Sequence, residues 1–255
     1  MMSYGTILSR YDDTSCEELR ACAGAARIVA VGHCASTMDL AHELATQGAA
    51  HGTAVVAEAQ GAGRGRSGKA WVSARGAGVW TSVLLRRQVG APAGVLSLRV
   101  GLHLAPALEG HGDAVLQLKW PNDLLVGGRK LAGVLTEARW RGDMLEWIVV
   151  GVGVNVLDAD ATLSSAALGA GVRRADVLVD VIRAVLAAAE RGGELNSVEL
   201  RQFADRDIAR GREVVAPLVG TVLGITARGG VQIRTASGDA VAVAGSLVFR
   251  TPLPE

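Results

Sequence analysis

Residues 61–69 form the feature that most constrains the fold of this chain, a basic glycine-rich segment with the sequence GAGRGRSGK. Its glycines permit a tight backbone whose N–H groups can converge on an anion, while Arg64, Arg66 and Lys69 add charge. The spacing partly fits the dinucleotide-binding fingerprint and the Walker phosphate loop, but each of those motifs must open a helix. Residues 71–85 are instead rich in β-branched and aromatic types and predict strands. Both standard nucleotide-binding folds are therefore disfavoured.

The composition of the chain narrows its functional class. The 255 residues are 49% hydrophobic and carry a formal net charge of +1, so they can bury a core but offer no broad basic surface for DNA, RNA or anionic membranes. Three cysteines without a C-x-x-C pair predict free thiols in a reducing compartment, which makes the cytoplasm the expected location. No signal peptide or long apolar span is recognisable. The histidines lack zinc-ligand spacing, so no protein-held metal is expected.

The order of short apolar runs and turn signals predicts an α+β fold. A strand at 26–32 precedes a helix capped by Ser36 or Thr37, and further helices are expected at 92–108, 177–189 and 198–204. Glycine pairs and a Gly-Asp turn predict two successive hairpins, the first turning at 127–128 and the second at 141–143. We therefore expect a mixed, mostly antiparallel sheet with helices packed on one face.

The character of the sequence changes after Arg210. Short β-rich runs separated by glycine turns follow, at 213–216, 221–226, 231–235 and 240–244. Strands of this length and spacing are typical of a small β-barrel. The predicted organisation is a catalytic domain over 1–209 and a small C-terminal barrel over 210–255.

Two further segments carry more polar groups than a buried hairpin needs. One reads K-W-P-N-D from Lys119 and resumes after the first hairpin turn as R-K-L-A-G-V-L from Arg129. The other, G-V-G-V-N over 151–155, has glycines that would let a ligand lie against a strand, and Asn155 offers amide contacts. A solvated hairpin tip would explain a lone lysine, but the number of polar groups favours a binding site.

In this order, G-R-G-R-x-G before Trp71, K-W-P-N-D, R-K-L-A-G-V-L and G-x-G-V-N resemble the motifs of the biotin protein ligases, also called biotin–[acetyl-CoA-carboxylase] ligases. The resemblance runs from about Ser36 to the C-terminus and includes an SH3-like barrel. It implies a class II synthetase-like fold and an ATP-dependent, AMP-forming enzyme. Such an enzyme makes biotinyl-5′-AMP and transfers biotin to a lysine of a biotin carboxyl carrier protein domain.

The resemblance also implies cofactors, partners and residue roles. It implies Mg²⁺ with ATP and leaves a homodimer open. Many bacterial relatives carry an N-terminal DNA-binding domain, but only about two dozen residues precede the first predicted strand here, so we expect the form without it. The composition likewise leads us to expect neither a DNA nor a membrane partner. The catalytic roles fall on Lys130, Arg64 and Asp123. The biotin contacts fall on Ser36, Thr37, Gln60, Gly63, Arg64, Arg66, Lys130, Gly133 and Gly151. The ATP contacts fall on Lys69, Trp71, Asn122, Asp123, Asn155 and Arg250.

This sequence departs from the family pattern at two positions. Met38 stands where many relatives have Asn, and Lys69 stands where Arg is common. A lysine keeps the charge but lacks the planar fork of an arginine.

The implied chemistry suits these residues. Cations would offset the repulsion between the carboxylate of biotin and the phosphates of ATP. A flexible glycine-rich flap would keep water from biotinyl-5′-AMP, which is a mixed anhydride.

Two alternatives stay open. A lipoate ligase or related acyltransferase would apply the same chemistry to a longer acid. A noncatalytic module would bind a nucleotide or RNA through the arginine-containing segment and would activate no acid.

Overall fold

The structure is a computed structural model, and it describes residues 5–86, 93–157 and 165–253. Its helices are α1 (Cys16–Ala23), α2 (Thr37–Thr46), α3 (Ala93–Glu109), α4 (Arg174–Ala189) and α5 (Ser197–Arg206). Its strands are β1 (Ile7–Leu8), β2 (Arg10–Tyr11), β3 (Thr14–Ser15), β4 (Arg27–Val31), β5 (Thr53–Ala57), β6 (Gly78–Arg86), β7 (Gln117–Lys119), β8 (Asp123–Val126), β9 (Arg129–Arg141), β10 (Met144–Asn155), β11 (Glu213–Ala216), β12 (Gly220–Ile225), β13 (Val231–Thr235), β14 (Gly238–Ala242) and β15 (Val248–Phe249).

A large sheet forms the centre of the fold. Within the described ranges it contains eight strands in the order β1-β4-β5-β6-β10-β9-β8-β7. β4 and β5 run parallel, and the other neighbouring pairs run antiparallel. The predicted mixed, mostly antiparallel sheet is confirmed. Its long central strands β6, β9 and β10 form the rigid surface on which the polar motifs of the sequence are placed.

Helices cover both faces of this sheet, so the prediction of helices on one face was wrong. One core joins α1, α3 and α4 to the sheet through residues such as Val56, Val83 and Val150. The strand neighbours Val55 and Val149 point the other way and pack with α2. Successive residues of a strand face opposite sides, so continuous apolar runs indicate burial on both faces.

The sequence located most elements and misplaced several boundaries. The helices α2 to α5 and both hairpins lie where they were expected, although position 92, the expected start of α3, lies outside the described residues. β1 and α1 precede the strand at 27–31 that was taken as the first. Residues 71–77 do not form a strand, because Gly76 takes a φ of 73° and the amide of Ala77 bonds back to Ala74 in a turn.

The C-terminal strands form a second, antiparallel sheet. In the described part of the chain it has five strands in the order β14-β13-β12-β11-β15, consistent with the predicted small SH3-like barrel. β15 was not foreseen. The indole N–H of Trp120 donates to the carbonyl of Gly229 at 2.8 Å, and the amide of Ile208 donates to Leu118 at 3.1 Å. These bonds fix the small sheet beside the K-W-P-N-D segment.

Cys16, Cys22 and Cys34 are all free thiols, as the sequence predicted. Burial, followed by the charge of Asp39, raises the pKa of the Cys34 thiol to about 11, so this group stays protonated at neutral pH.

Among the residues that the structure describes, no helix has the length and apolar character that crossing a bilayer requires.

Asp207 lies in the connection between α5 and the small sheet. Its Oδ1 accepts a hydrogen bond from the amide of Ala209 at 2.9 Å. Burial nevertheless raises the pKa of the Asp207 carboxyl to about 6, with that hydrogen bond and the charge of Arg210 acting in the opposite direction. At neutral pH the connection therefore contains an ionised carboxylate in a poorly solvated position.

We predict that Asp207→Asn raises the free energy of unfolding at pH 7 by about 1–3 kcal/mol, because the amide keeps the acceptor oxygen and removes the buried charge. The folded-state pKa lies above the unfolded value of 3.8, so the destabilisation by Asp207 develops as pH rises from about 4 to about 6 and is complete above that. Urea unfolding at pH 7.5 and pH 4 measures this effect. Most of the gain should be lost at the lower pH, and an equal gain at both would contradict the account. Asp239→Asn, in an exposed pair with Arg234, is the control.

Candidate functional site

A cavity of about 510 Å³ lies where the glycine-rich loop, the start of α2, the ends of β9 and β10 and the C-terminal sheet meet. Its size suits a small-molecule site, since such sites commonly enclose about 300–1,000 Å³. Twelve of the residues that the sequence singled out line it: Ser36, Thr37, Gln60, Arg64, Arg66, Lys69, Trp71, Asn122, Asp123, Lys130, Gly133 and Gly151.

Three other singled-out residues lie outside the lining. A Cβ at Gly63 would meet the carbonyl oxygen of Trp71 at 2.5 Å, so this glycine lets the loop close on itself. The Asn155 amide donates to the carbonyls of Ala166 and Lys130, at 3.1 and 3.4 Å, and so supports the backbone behind the cavity. Arg250 pairs with Glu213 at 2.8 Å and is half exposed.

One end of the cavity carries a fixed network of uncharged polar groups. Ser36 caps α2, and Thr37 places its Oγ1 2.8 Å from the Oγ of Ser82. The Gln60 Oε1 accepts from the backbone amide of Thr37 at 2.8 Å, while its Nε2 donates to the Oγ of Ser73 at 2.7 Å. Because these side chains hold one another, their polar atoms are set before any ligand arrives. We call this region the polar end.

The floor of the cavity is built on glycines of β9 and β10. A Cβ at Gly151 would lie 2.8 Å from the Sδ of Met38, and one at Gly133 would lie 3.0 Å from the indole of Trp71. At Gly153 a Cβ would collide with the same indole. The sequence predicted that glycines at 151 and 153 let a ligand lie against the strand; the groups that the structure places against them are the side chains of Met38 and Trp71.

The other end of the cavity, which we call the cationic end, concentrates positive charge. The Lys130 Nζ lies 2.6 Å from Asp123 Oδ1 and 5.0 Å from the centre of the Trp71 ring. Lys119 places its Nζ 5.1 Å from the ring centre of Phe249, a residue of β15. With Arg66 and Lys69, four cations thus lie around one carboxylate among the described residues at this end.

Burial lowers the pKa of two of these cations, Lys119 and Arg66. The pKa of the Lys119 ammonium is lowered, first by burial and then by the charges of Lys130 and Lys69, against the opposing effect of Asp123. The pKa of Arg66 is also lowered by burial, again opposed by Asp123. Poorly solvated cations in excess over carboxylates are stabilised by a bound anion. The cationic end is therefore suited to phosphate or carboxylate groups.

The sequence overlooked several residues of the cavity. Lys119 belongs to the K-W-P-N-D motif, so its position could have been inferred, but it was not assigned a role. Residues 246–249 enter the lining from the C-terminal sheet, which no local pattern could indicate. The partners of Arg64 were also missed: its guanidinium pairs with Asp39 at 2.5 Å and Glu137 at 3.0 Å.

No cluster of three or more metal-ligating side chains occurs within the described ranges.

We predict that Gly153→Ala displaces the Trp71 indole from the floor and weakens ligand binding at the cavity. A Cβ cannot share the space of that ring, and overpacking of this kind costs about 1–3 kcal/mol. Near-ultraviolet circular dichroism and the quenching of tryptophan fluorescence would report the displacement. Gly94→Ala, in α3 with no atom near its Cβ position, is the matched control. Unchanged Trp71 signals in Gly153→Ala would contradict this account of the floor.

Comparison with known proteins agrees with the geometry. Residues 32–155 match the biotin/lipoate A/B protein ligase family. The bifunctional ligase/repressor BirA of Bacillus subtilis is 36% identical over 158 residues, which cover 58% of this chain and 49% of that protein. The biotin–[acetyl-CoA-carboxylase] ligase of Mycobacterium tuberculosis is 39% identical over 137 residues, which cover 49% of each. The chain thus spans about half the length of these curated relatives.

The likeness extends to a solved structure. The biotin protein ligase from Aquifex aeolicus in complex with biotin and ATP shares 26% identity and a TM-score of 0.73, over 88% of this chain and 98% of that one. The family match contains the glycine-rich loop, the K-W-P-N-D turn, the lysine of β9 and the glycines of β10. Residues 32–155 of this chain are therefore a biotin/lipoate A/B protein ligase domain.

Proposed function

We propose that this protein is an ATP-dependent, AMP-forming ligase that activates biotin as biotinyl-5′-AMP. It then transfers the biotin to a lysine of a biotin carboxyl carrier protein domain. The observation that carries the proposal is the single cavity that joins a pre-set polar end to a cationic end across a glycine floor. The names of the curated relatives and of the Aquifex aeolicus structure support the choice of biotin and ATP.

Each end of the cavity would bind one of the two substrates. The ring system of biotin would occupy the polar end, whose hydroxyls and amide suit a neutral urea-like group, and its carboxylate would point towards Lys130. ATP would occupy the cationic end. The biotin contacts are Ser36, Thr37, Gln60, Arg66, Lys130, Gly133 and Gly151, with Gly63 and Arg64 acting through the loop. The ATP contacts are Lys69, Trp71, Asn122 and Asp123, with Asn155 acting through the backbone that it supports. For Arg250 the resemblance alone supports a contact with ATP.

In the first half-reaction a carboxylate oxygen of biotin attacks the α-phosphorus of ATP, and the bond from that phosphorus to pyrophosphate breaks. Both reactants are anions, so the barrier contains a large repulsion. Lys130 would stand between the carboxylate and the α-phosphate, with Arg66 and Lys119 nearby to stabilise the charge that develops on pyrophosphate. Because these cations are already in place around the cavity, little reorganisation would accompany the reaction.

In the second half-reaction the amine of the acceptor lysine forms an amide with the activated carbonyl. The bond between that carbon and the phosphate oxygen breaks, AMP leaves, and the amine releases a proton. Asp123 lies at the cationic end, held 2.6 Å from Lys130. It would orient either the incoming amine or the ribose.

Magnesium fits the site as the ion of the nucleotide. Mg²⁺ commonly binds through one or two carboxylates and the substrate phosphates, and Asp123 with the neighbouring Asn122 supplies such a donor set. When bound, the ion would neutralise charge on the phosphate oxygens. The protein residues would still have to hold the biotin carboxylate, which is the role given to Lys130.

The remaining parts of the proposal concern the whole protein. We propose that residues 1–209 form the catalytic domain and residues 210–255 the SH3-like domain, with β15 closing the cationic end. The proposed partner is a carrier domain of a biotin-dependent carboxylase, and the proposed compartment is the cytoplasm. A homodimer would be compatible with this function.

The exchange of label between pyrophosphate and ATP tests the function directly. We expect exchange that depends on biotin and that lipoate supports poorly. Preference for lipoate would indicate the rival ligase, since the family description covers both acids. Nucleotide binding without exchange for either acid would indicate the noncatalytic module.

We predict that Lys130→Ala lowers the rate of biotinyl-5′-AMP formation by about 10²–10³-fold, the usual effect of removing a preorganised charge-stabilising group. Lys130→Arg should retain more activity because it keeps the charge. Single-turnover formation of the adenylate measures the step, and the melting temperature establishes that each variant is folded. Arg234→Gln, on the exposed β13–β14 hairpin, is the control. Wild-type rates in folded Lys130→Ala would refute the role.

A further inference from the structure

Arg64 differs from the other cations of the glycine-rich loop in what its side chain meets. Its two terminal nitrogens reach two carboxylates, Asp39 in the first turn of α2 at 2.5 Å and Glu137 on β9 at 3.0 Å. For Arg66 and Lys69, no ion pair is seen among the residues that the structure describes. One arginine thus ties the loop to two separate elements of the scaffold.

One of the two carboxylates, that of Glu137, is itself held in place. Glu137 Oε2 also lies 3.1 Å from the Nε2 of His42, whose Nδ1 accepts a hydrogen bond from the Trp147 indole at 2.9 Å. That indole fixes the tautomer, so Nε2 carries the proton and donates to Glu137. The hydrogen bond from His42, with the charge of Arg64, lowers the pKa of the Glu137 carboxyl. Glu137 is therefore charged at neutral pH and aimed at the loop by a chain of bonds from β10.

The loop has few other side-chain ties to the scaffold. Backbone bonds anchor its base to the scaffold, from the amide of Gly61 to Cys34 at 3.0 Å and from that of Ala62 to Ala35 at 2.8 Å. Beyond the base its backbone closes on itself: the amide of Gly65 donates to Lys69 at 2.7 Å, and that of Trp71 donates to Gly63 at 2.9 Å. Ser67 lies in the left-handed region with a φ of 54°. These bonds define the shape of the loop but do not fix the position of residues 63–69 over the cavity. The Arg64 ion pairs can fix this position, because they connect the loop to α2 and β9.

We propose that Arg64 is a positioning residue, a latch that holds the glycine-rich loop over the polar end of the cavity through Asp39 and Glu137. It would not contact the acid itself. This inference rests on the proposed function as far as the identity of the acid is concerned. It replaces the direct catalytic role that the resemblance gave to Arg64 and leaves Arg66 as the arginine of the loop that meets substrate.

The latch has a chemical consequence. A mixed anhydride such as biotinyl-5′-AMP is cleaved by water into the acid and AMP, so the loop must cover it until the acceptor amine arrives. A loop that opens more often would release or hydrolyse the intermediate without changing the groups that form it. Loosening the latch should therefore affect retention of the adenylate and the KM for the acid more than the chemical step.

A double-mutant cycle tests this inference, because residues that act as a unit are not additive. The variants are Arg64→Gln, the pair Asp39→Asn with Glu137→Gln, and all three together. We expect each of the first two to raise both the KM for biotin and the loss of adenylate into solution by about tenfold, equivalent to about 1.4 kcal/mol. The triple variant should be no worse than either. Arg64→Lys, which can reach one carboxylate but not both, should recover part of the effect.

Hydrogen exchange of residues 61–71 without any substrate supplies a readout that does not need activity. We expect faster exchange in Arg64→Gln and in the Asp39→Asn, Glu137→Gln variant, with unchanged melting temperatures. The exposed Arg234→Gln and Asp239→Asn variants break a comparable ion pair elsewhere and should leave the loop unaffected.

Two results would overturn the latch. One is full additivity, in which Arg64→Gln costs as much in the absence of the two carboxylates as in their presence, as expected of a direct substrate contact. The other is wild-type exchange of the loop in all variants. A wild-type protein that shows no biotin-dependent activity would refute the proposed function, and the hydrogen-exchange result would still decide whether the latch exists.

Discussion

The excess of cations over carboxylates at one end of the cavity is the constraint on which the rest of the site depends. Arg66, Lys69, Lys119 and Lys130 converge on Asp123, and burial already disfavours the charged form of two of them. Such an arrangement is costly for an isolated domain and is stabilised when anions enter. It turns a groove of moderate size into a place where a carboxylate and a triphosphate can approach each other.

The sheet makes that convergence possible. Lys130 extends from β9 and Asp123 from the neighbouring antiparallel strand β8. Asp123 lies opposite Gly133, and the Lys130 side chain reaches across that glycine to place its Nζ 2.6 Å from the carboxylate. Next to them, Gly133, Gly151 and Gly153 keep the surface of β9 and β10 free of side chains, so the indole of Trp71 and the thioether of Met38 can lie on the backbone. The polar end is fixed by a different element, the first turn of α2. A rigid sheet and a capped helix thus hold the two ends, and a loop covers what lies between.

Much of this was predictable from the sequence, and the limits have physical causes. The hairpins were found because the glycine-containing segments at 127–128 and 141–143 mark tight turns. Lys130 was placed at the site because its motif resembles that of the biotin protein ligases. What the sequence missed depends on contacts between distant residues. The pairing of Arg64 with Asp39 and Glu137 joins three elements, and the entry of Phe249 into the lining depends on how the small sheet packs. The position of α2 on the second face was missed because a strand buried on both sides shows a continuous apolar run and does not reveal which helix covers which face.

The structure of the protein with a non-hydrolysable analogue of biotinyl-5′-AMP would test the central claim most directly, since it shows where the linkage between acid and phosphate lies. The account predicts that the Lys130 ammonium and the Arg66 guanidinium lie within hydrogen-bonding distance of that linkage or of the phosphate, with the ring system among Thr37 and Gln60. A linkage bound far from Lys130, with its ammonium still occupied only by Asp123, would contradict it.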